Sequence, residues 1–590
     1  MGFCSPVTRM FKTWKKNPRL QLWNDRHHSA PRSLGILPLL REKLFLARVG
    51  LIVGTALTLT LLQSWLSPSV PVRVGETCAN DIRVRVGFSL VNGPQTARLR
   101  EELQEQTGSG EASTTPVTVV EEYPPGTPIV KRGQPISVSE LALLREEAQA
   151  YARTLSSGDH VRHTFSLLGI NLLLTSFVAL YISRYQPHLA GKLPSLIGVS
   201  IQAIATVFLA LLVNRAPWNA AVLPLTLSAM IYTVVFPAPF AMLLAFTLSL
   251  TTVLSMGTGT EQLLILMGGL APAALMPRGI NSRSQLVKIA ATAGLAFAIT
   301  TWACYLLTEQ TLRFTLSDAI RNFFWALLAG FILGGSIPLI ERCYGVVTDV
   351  SLMELADSSH PLLQDLIRRA PGTYTHSMTM ATLAEAAAKE IGANPLLTRV
   401  SCYFHDVGKM VKPQYFVENQ NGYNRHDQLE PAMSVLIIVG HVKDGVALAE
   451  QHRLPAPVID AIQQHHGTTL VEYFYREALR LQEQNGRGNA ELEFAFRYPG
   501  PKPQTKEIAI VMLADAVESA SRALTNPTPA SLRKLVHDLL MKRLLDGQFE
   551  ESGLTLTELH RIEESISKSV IALYHARIQY PDECTQEAEA

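Results

Sequence analysis

The sequence predicts an all-α protein: a polytopic helical membrane domain followed by a cytoplasmic all-α domain, with a small α+β domain outside the membrane. Three observations carry this expectation. Of 590 residues, 47% are hydrophobic and only 17% charged, too apolar a balance for a soluble protein of this size. The apolar residues are segregated, filling 49–67 and much of 163–341, whereas 350–590 has a soluble composition. That last portion reads as successive helical segments separated by clusters of Gly and Pro. The formal net charge of +2 gives no support for binding a nucleic acid polymer. The cysteines (Cys4, Cys78, Cys304, Cys343, Cys402 and Cys584) form no CxxC pair, which argues against a disulfide scaffold or a zinc knuckle.

Residues 1–48 form a basic tail, with Arg9, Lys12, Lys15, Lys16, Arg19, Arg26, Arg32, Arg41, Lys43 and Arg48 against Asp25 and Glu42. The apolar run 49–67 then predicts an uncleaved anchor whose basic side stays in the cytoplasm. Residues 68–162 form the extracytoplasmic domain. They carry strand-like pieces at Ile82–Leu90 and Val117–Val120, a Gly/Ser loop at 108–115, and a helix from Ser139 to about Leu155 capped by Ser137 or Ser139.

From 163 to 341 the hydropathy predicts seven more spans, near 164–183, 194–213, 217–236, 238–257, 262–277, 289–307 and 321–341. Arg184 and Lys192, and Arg278, Arg283 and Lys288, fall in loops that an even count assigns to the cytoplasm. Eight spans in all return 342–580, the catalytic candidate, and an acidic tail at 581–590 to that side. No strongly buried charge marks an ion path, so a transporter finds little support.

The chemistry gathers around Cys402-Tyr403-Phe404-His405-Asp406-Val407-Gly408-Lys409. Upstream lies His376, and downstream come His441, the doublet His465-His466, and Asp515. Each sits in or beside an apolar helical segment, where an unpaired imidazole or carboxylate is costly to bury. Five histidines and two aspartates from several helices satisfy one another by sharing metal ions. Seven ligands exceed what one ion needs, so the set predicts a two-metal site. Any one histidine alone would be better read as structural.

Lys409, one turn beyond Asp406, either touches a substrate phosphate or salt-bridges a nearby acid. Asp444 either orients a ligand or caps a loop. Arg497 and Lys502 flank a Pro-rich loop that is either solvated or covers nucleotide. His360, His426, His452, His537, His560 and His575 stand off the pattern and read as structural or solvent-facing.

The strings Ala370-Pro371-Gly372-Thr373-Tyr374-Thr375-His376-Ser377, His405-Asp406-Val407-Gly408-Lys409, Glu418-Asn419-Gln420, His441-Val442-Lys443-Asp444-Gly445, Gln464-His465-His466-Gly467 and Ala514-Asp515-Ala516-Val517-Glu518 resemble those of HD-domain phosphohydrolases. The resemblance is closer to seven-transmembrane HD receptors of the PgpH type. It implies a multi-pass protein of the bacterial inner membrane whose cytoplasmic HD domain hydrolyses cyclic di-AMP to pApA at a binuclear centre. Asp406 would bridge the two cations, with His376, His405 and Asp515 on the first and His441, His465 and His466 on the second. Asp406 and Lys409 would be the catalytic pair. Mixed imidazole and carboxylate ligands suit two divalent transition-metal ions, Fe or Mn before Co, Ni or Zn. The outer domain leaves room for an extracytoplasmic ligand, and the whole for a homo-oligomer. Cyclic di-GMP hydrolysis is the rival, but no Gly-Tyr-Pro follows His465-His466-Gly467. A non-catalytic nucleotide receptor is the alternative from another class, and seven intact ligand positions argue against it.

Overall fold

The computed structural model describes residues 43–91, 95–99, 101, 119–275, 282–420, 422–484, 492–524 and 527–575. Most of the basic tail, the 108–115 loop, Arg278 and the acidic tail lie outside the described residues. The chain divides into two compact units. One comprises Met1–Ser228, Pro239–Gly268 and Phe297–Asn322; the other comprises Ala229–Ala238, Gly269–Ala296 and Phe323–Ala590.

Helix α1 (Lys43–Leu66) leads into two nested antiparallel strand pairs. In the outer pair, β1 (Ile82–Arg83) meets β4 (Pro128–Val130); in the inner pair, β2 (Phe88–Val91) meets β3 (Val120–Tyr123). The expected strand 82–90 is split because Val84 leaves the ladder, donating its N–H to Thr127 and accepting from Gly126 (2.9 and 2.8 Å). The second strand begins at Val120, where the expected segment ends. Helix α2 (Val138–Thr154) starts on a capping box in which Ser137 and Glu140 satisfy each other's backbone N–H. Leu144 of α2 closes a small core with Val130 and Ile136.

The next helices are α3 (Ser157–Tyr185), α4 (Pro187–Gly191), α5 (Leu193–Val213), α6 (Val222–Val235), α7 (Ala238–Met256), α8 (Thr260–Ala274), α9 (Arg283–Leu307) and α10 (Leu312–Tyr344). Among them, α1, α3, α5, α7, α9 and α10 are long and apolar enough to cross a bilayer. The spans expected at 217–236 and 262–277 are shorter helices of 14 and 15 residues, below the ~20 residues a straight crossing takes. At α6, Asn219 adopts a left-handed backbone (φ 42°) and delays the helix to Val222.

Buried polar side chains in the first unit find partners across helices. Asn171 donates to Thr60 Oγ1 (2.9 Å) and Gln63 Oε1 (2.8 Å), and Gln63 donates to the Thr251 carbonyl (3.2 Å). Helix α10 begins nine residues before the expected 321 and brings in Asp318, which is 2% exposed. The expectation that no charge is buried here is therefore corrected, and the charge is neutralised. Arg73 lies 2.8 Å from Asp318, Tyr305 donates to it (2.7 Å), and Arg321 also pairs with it. Beside this cluster Thr77 and Gln310 exchange two hydrogen bonds, at 2.8 and 2.9 Å.

In the second unit, Glu341 accepts from the N–H and hydroxyl of Thr348 (both 2.7 Å) and from Ser351 (2.8 Å), fixing the turn into α11 (Asp349–Leu355). The following helices are α12 (Pro361–Arg369), α13 (Pro371–Ile391), α14 (Pro395–Phe404), α15 (Pro431–Gln451), α16 (Ala456–Gln464), α17 (Glu472–Gln484), α18 (Leu492–Ala495), α19 (Lys506–Arg522), α20 (Pro529–Leu545) and α21 (Leu556–His575). Helices α12, α13, α14, α15 and α20 each open on proline, whose missing N–H costs nothing in a first turn. Short 3₁₀ turns replace helix between Val407 and Gln428.

Two apolar clusters form the core of this unit. Residues such as Leu383, Met512, Val536 and Ile566 join α13, α19, α20 and α21 in one. Residues such as Leu363, Phe404, Val458 and Ile462 join α12, α14 and α16 in the other. Cys402 belongs to the first and Phe404 to the second, so the His405-Asp406 turn leaves α14 where both anchor it. Helix α15 also has the length and apolarity of a membrane span. It is a core helix instead: Val435 and Ala449 pack into clusters of the second unit.

Among the described residues, Asp318→Ala would leave Arg321 without an ion pair and Arg73 with only the longer contact to Glu76 (3.8 Å). Because both arginines are partly exposed, the expected loss is at the lower end of the ~3–5 kcal/mol for breaking a buried pair. Thermal unfolding in detergent micelles checks this: a melting temperature equal to that of the unaltered protein would mean that the cluster holds nothing.

Candidate metal centre

The seven residues come from five helices or their ends: His376 from α13, His405 and Asp406 from the end of α14, His441 from α15, His465 and His466 after α16, and Asp515 from α19. The structure brings all of them together in two groups. Ligand atoms of Asp406, His441, His465 and His466 lie within 4.8 Å of one another, and so do those of His376, His405 and Asp515. Asp406 faces both groups. Its Oδ1 is 3.1 Å from His441 Nε2 and 3.7 Å from His465 Nε2; its Oδ2 is 3.0 Å from His405 Nε2 and 4.0 Å from His376 Nε2.

The ring orientations test whether these residues fit cations. His405, His441 and His465 each direct Nδ1 at a carbonyl of their own chain segment: Cys402 (2.8 Å), Ile438 (2.5 Å) and Ile462 (2.8 Å). A carbonyl only accepts, so Nδ1 carries the proton and Nε2 presents a lone pair. Those three Nε2 atoms and both oxygens of Asp406 are buried without a hydrogen-bond partner. Acceptors facing acceptors would cost several kcal/mol in a protein interior. Divalent cations resolve the conflict, and the donor set of imidazole and carboxylate suits them.

Electrostatics point the same way. Burial would raise the Asp406 carboxyl, but the neighbouring His405 and the ammonium of Lys409 hold it well below the usual carboxylate range. Burial likewise opposes the ionised Asp515, but its hydrogen bond with His376 and the nearness of His466 and His376 keep it low. Burial and the adjoining His465 push His466 well below the ordinary histidine value, so it stays a neutral donor. His376 differs: burial lowers it, but Asp515 and Glu518 outweigh this and raise it to about 10.

Glu518 is one of three residues here that the motif order does not single out by role. Its Oε2 lies 2.5 Å from His376 Nδ1, while Oε1 accepts from Arg522. It orients His376 as a carboxylate behind a ligating histidine does. Its spacing, three residues after Asp515 on α19, is the one available signal. Glu418 accepts from Lys409 Nζ (3.0 Å) and Thr373 Oγ1 (3.0 Å). Tyr498 lies over His466 with ring centroids 4.2 Å apart.

Lys409 sits 2.7 Å from Asp406 Oδ2 as an ion pair, so of its two readings the salt bridge is present. Asp444 does not cap a loop, because α15 continues through it to Gln451. Arg497 is held by Glu493, Asp546 and the Thr468 carbonyl, and Lys502 by Glu550. Two glycines give the site its compactness. A Cβ on Gly408 would collide with the His441 carbonyl, and one on Gly372 with the Glu418 carbonyl.

A cation entering beside His376 displaces its proton, so affinity falls as pH falls below the raised histidine value of about 10. Titrating Mn²⁺ into metal-stripped protein at pH 7 in weak buffer should release about one proton from this group; no release would contradict the pairing. Glu518→Ala should weaken cation binding about 10–100-fold, read by equilibrium dialysis. Unchanged affinity would mean that His376 needs no orienting carboxylate.

Comparison with known proteins adds a lineage to this geometry. Residues 373–520 match the HD domain family, and residues 163–348 match the family described as 7TM receptor with intracellular HD hydrolase. The cyclic-di-AMP phosphodiesterase PgpH of Listeria monocytogenes serotype 1/2a (strain 10403S) is 37% identical over 424 residues, 70% of this chain and 58% of the relative. PgpH of Bacillus subtilis (strain 168) is 43% identical over 249 residues, 42% of this chain and 34% of its own. The chain thus spans less than two thirds of the length of these curated relatives. The crystal structure of the L. monocytogenes PgpH HD domain in complex with cyclic-di-AMP is 48% identical and covers 38% of this chain and 100% of its own, with a TM-score of 0.35. With both domains in that order, the chain belongs to the family of seven-transmembrane receptors with an intracellular HD hydrolase.

Proposed function

We propose that the chain is a membrane-bound, metal-dependent phosphodiesterase that opens cyclic di-AMP to the linear dinucleotide pApA. The observation that carries this reading is the paired grouping of ligand atoms around a shared buried carboxylate, with three imidazole lone pairs turned inward. The PgpH relatives, named as cyclic-di-AMP phosphodiesterases, support the substrate.

In this reading His376, His405, Asp406 and Asp515 hold one divalent cation, and Asp406, His441, His465 and His466 hold the other. Two such ions, Fe or Mn for preference, lower the pKa of a water and neutralise phosphodiester charge. The protein's own residues supply the rest. Carbonyl-fixed tautomers keep each Nε2 aimed without reorganisation. Lys409, paired with Asp406 and Glu418, stays protonated: burial would lower it, but those two acids raise it above the ordinary lysine value. It therefore meets developing negative charge as a cation and is unsuited to act as a base.

The outer segment is assigned outside the cytoplasm, and residues 342–590 inside it. An even count of eight membrane helices would bring both ends of the membrane region to one side. Arg184, Lys192, Arg283 and Lys288 flank the loops on that side. An extracytoplasmic ligand and a homo-oligomer are consistent with this arrangement, and the outer segment would be the regulatory input.

Metals cleave phosphodiesters without reading bases, so adenine selectivity must come from the walls of the pocket. The kcat/KM for cyclic di-AMP should exceed that for cyclic di-GMP more than tenfold, about 1.4 kcal/mol of differential transition-state binding. A ratio of one or less would defeat the substrate and leave phosphodiester hydrolysis standing. Reporter fusions at Gly108 and Ala590 should read opposite compartments; the same compartment at both would overturn the topology.

A further inference from the structure

Arg543, in the last turn of α20, carries a positive charge that the fold leaves over. Its Nε is buried without a hydrogen-bond partner, and among the described residues its guanidinium makes no ion pair. Withdrawing a guanidinium from water is costly unless an anion meets it. Acids do lie within electrostatic reach, namely Asp515, Asp546 and Glu472. Each has another cation or histidine as its direct partner. Asp546 is gripped by Arg497 at 3.0 and 3.1 Å, Glu472 by Lys542 at 2.6 Å, and Asp515 by His376 at 3.1 Å.

The backbone that bears this charge is tied to the metal centre by hydrogen bonds. The Arg543 carbonyl accepts from Gln548 N (3.0 Å). The Gln548 amide in turn accepts from Thr468 N (3.0 Å) and donates to Thr468 Oγ1 (2.9 Å). Thr468 stands two residues past His466, and Tyr498, lying over His466, also feels the charge of Arg543. Arg543 therefore belongs to the rim of the centre on its His466 side.

A cyclic dinucleotide carries two phosphodiester groups. While one lies at the cations, the other remains a full anion that the seven ligand residues do not meet. We propose that Arg543 is a substrate-binding residue that receives the phosphodiester not being cleaved. The assignment rests on the phosphodiesterase reading above. The guanidinium fork suits this task because its paired N–H groups match two phosphate oxygens, whereas an ammonium offers a point charge.

The test compares two substrates on the full-length protein in detergent micelles: cyclic di-AMP, and bis(p-nitrophenyl) phosphate, which has a single phosphodiester. Arg543→Ala should lower kcat/KM for cyclic di-AMP at least tenfold more than it lowers that for the single diester, with most of the difference in KM. Arg543→Lys should recover part of that loss. Equal losses on both substrates, or an unchanged KM for cyclic di-AMP, would overturn the assignment and return Arg543 to a structural role. If the alanine variant does not fold, Arg543→Lys and Arg543→Gln carry the same comparison. An unaltered protein that cleaves the single diester but no cyclic dinucleotide would overturn the phosphodiesterase reading, and this inference with it. Turnover of cyclic di-AMP by a protein indifferent to Arg543 would overturn this inference alone.

Discussion

A carboxylate that cannot be left alone is the constraint on which the second unit is built. Asp406 is 1% exposed, and neither of its oxygens has a directed hydrogen-bond donor. Around it stand imidazoles whose protons are committed to carbonyls on their far sides, so lone pairs converge on lone pairs. A fold that bears this conflict among so many buried residues is arranged for something positive at the centre. Lys409 supplies one positive charge at 2.7 Å, on one oxygen only. The remaining acceptors fall into two groups, and Asp406 faces both; the proposed reading places a cation in each.

Much of the architecture serves that carboxylate. The turn bearing it leaves α14 just past Cys402 and Phe404, each fixed in a different apolar cluster. Gly408 then lets the chain run against α15 so closely that no side chain fits, which brings His441 within 3.1 Å of Asp406. From the opposite side α19 contributes Asp515 as a ligand candidate and Glu518 as the group behind His376. One buried helix thus sets both an inner contact and its support. These placements are rigid because they depend on core packing, and rigidity is what preorganised electrostatics require.

The order of the seven ligand candidates, the helical character of 350–590 and the apolar segments before it were all legible in the sequence. Each rests on local rules: periodicity, proline at first turns, and the cost of burying histidine. What was not legible depends on tertiary placement. Helix α15 is apolar enough to cross a membrane, and only its packing and His441 mark it as part of a core. Helix α6 is shorter than the expected span because hydropathy does not register a turn residue such as Asn219, which delays the helix to Val222. Asp318 falls outside the expected 321–341 span, and it is buried because α10 begins earlier and Arg73, distant in sequence, meets it. Tyr498 and Arg543 lie outside any motif; Tyr498 lies over His466, and Gln548 ties the end of α20 to Thr468, two residues past His466.

The central claim is that the buried carboxylate is shared by two ions that are both needed for turnover. Reconstituting metal-stripped protein stepwise with Mn²⁺ or Fe²⁺, and following bound metal by elemental analysis alongside cyclic di-AMP hydrolysis, tests it most directly. Activity should stay low through the first equivalent and saturate only as the second is bound. Full activity with one ion per chain would contradict the account.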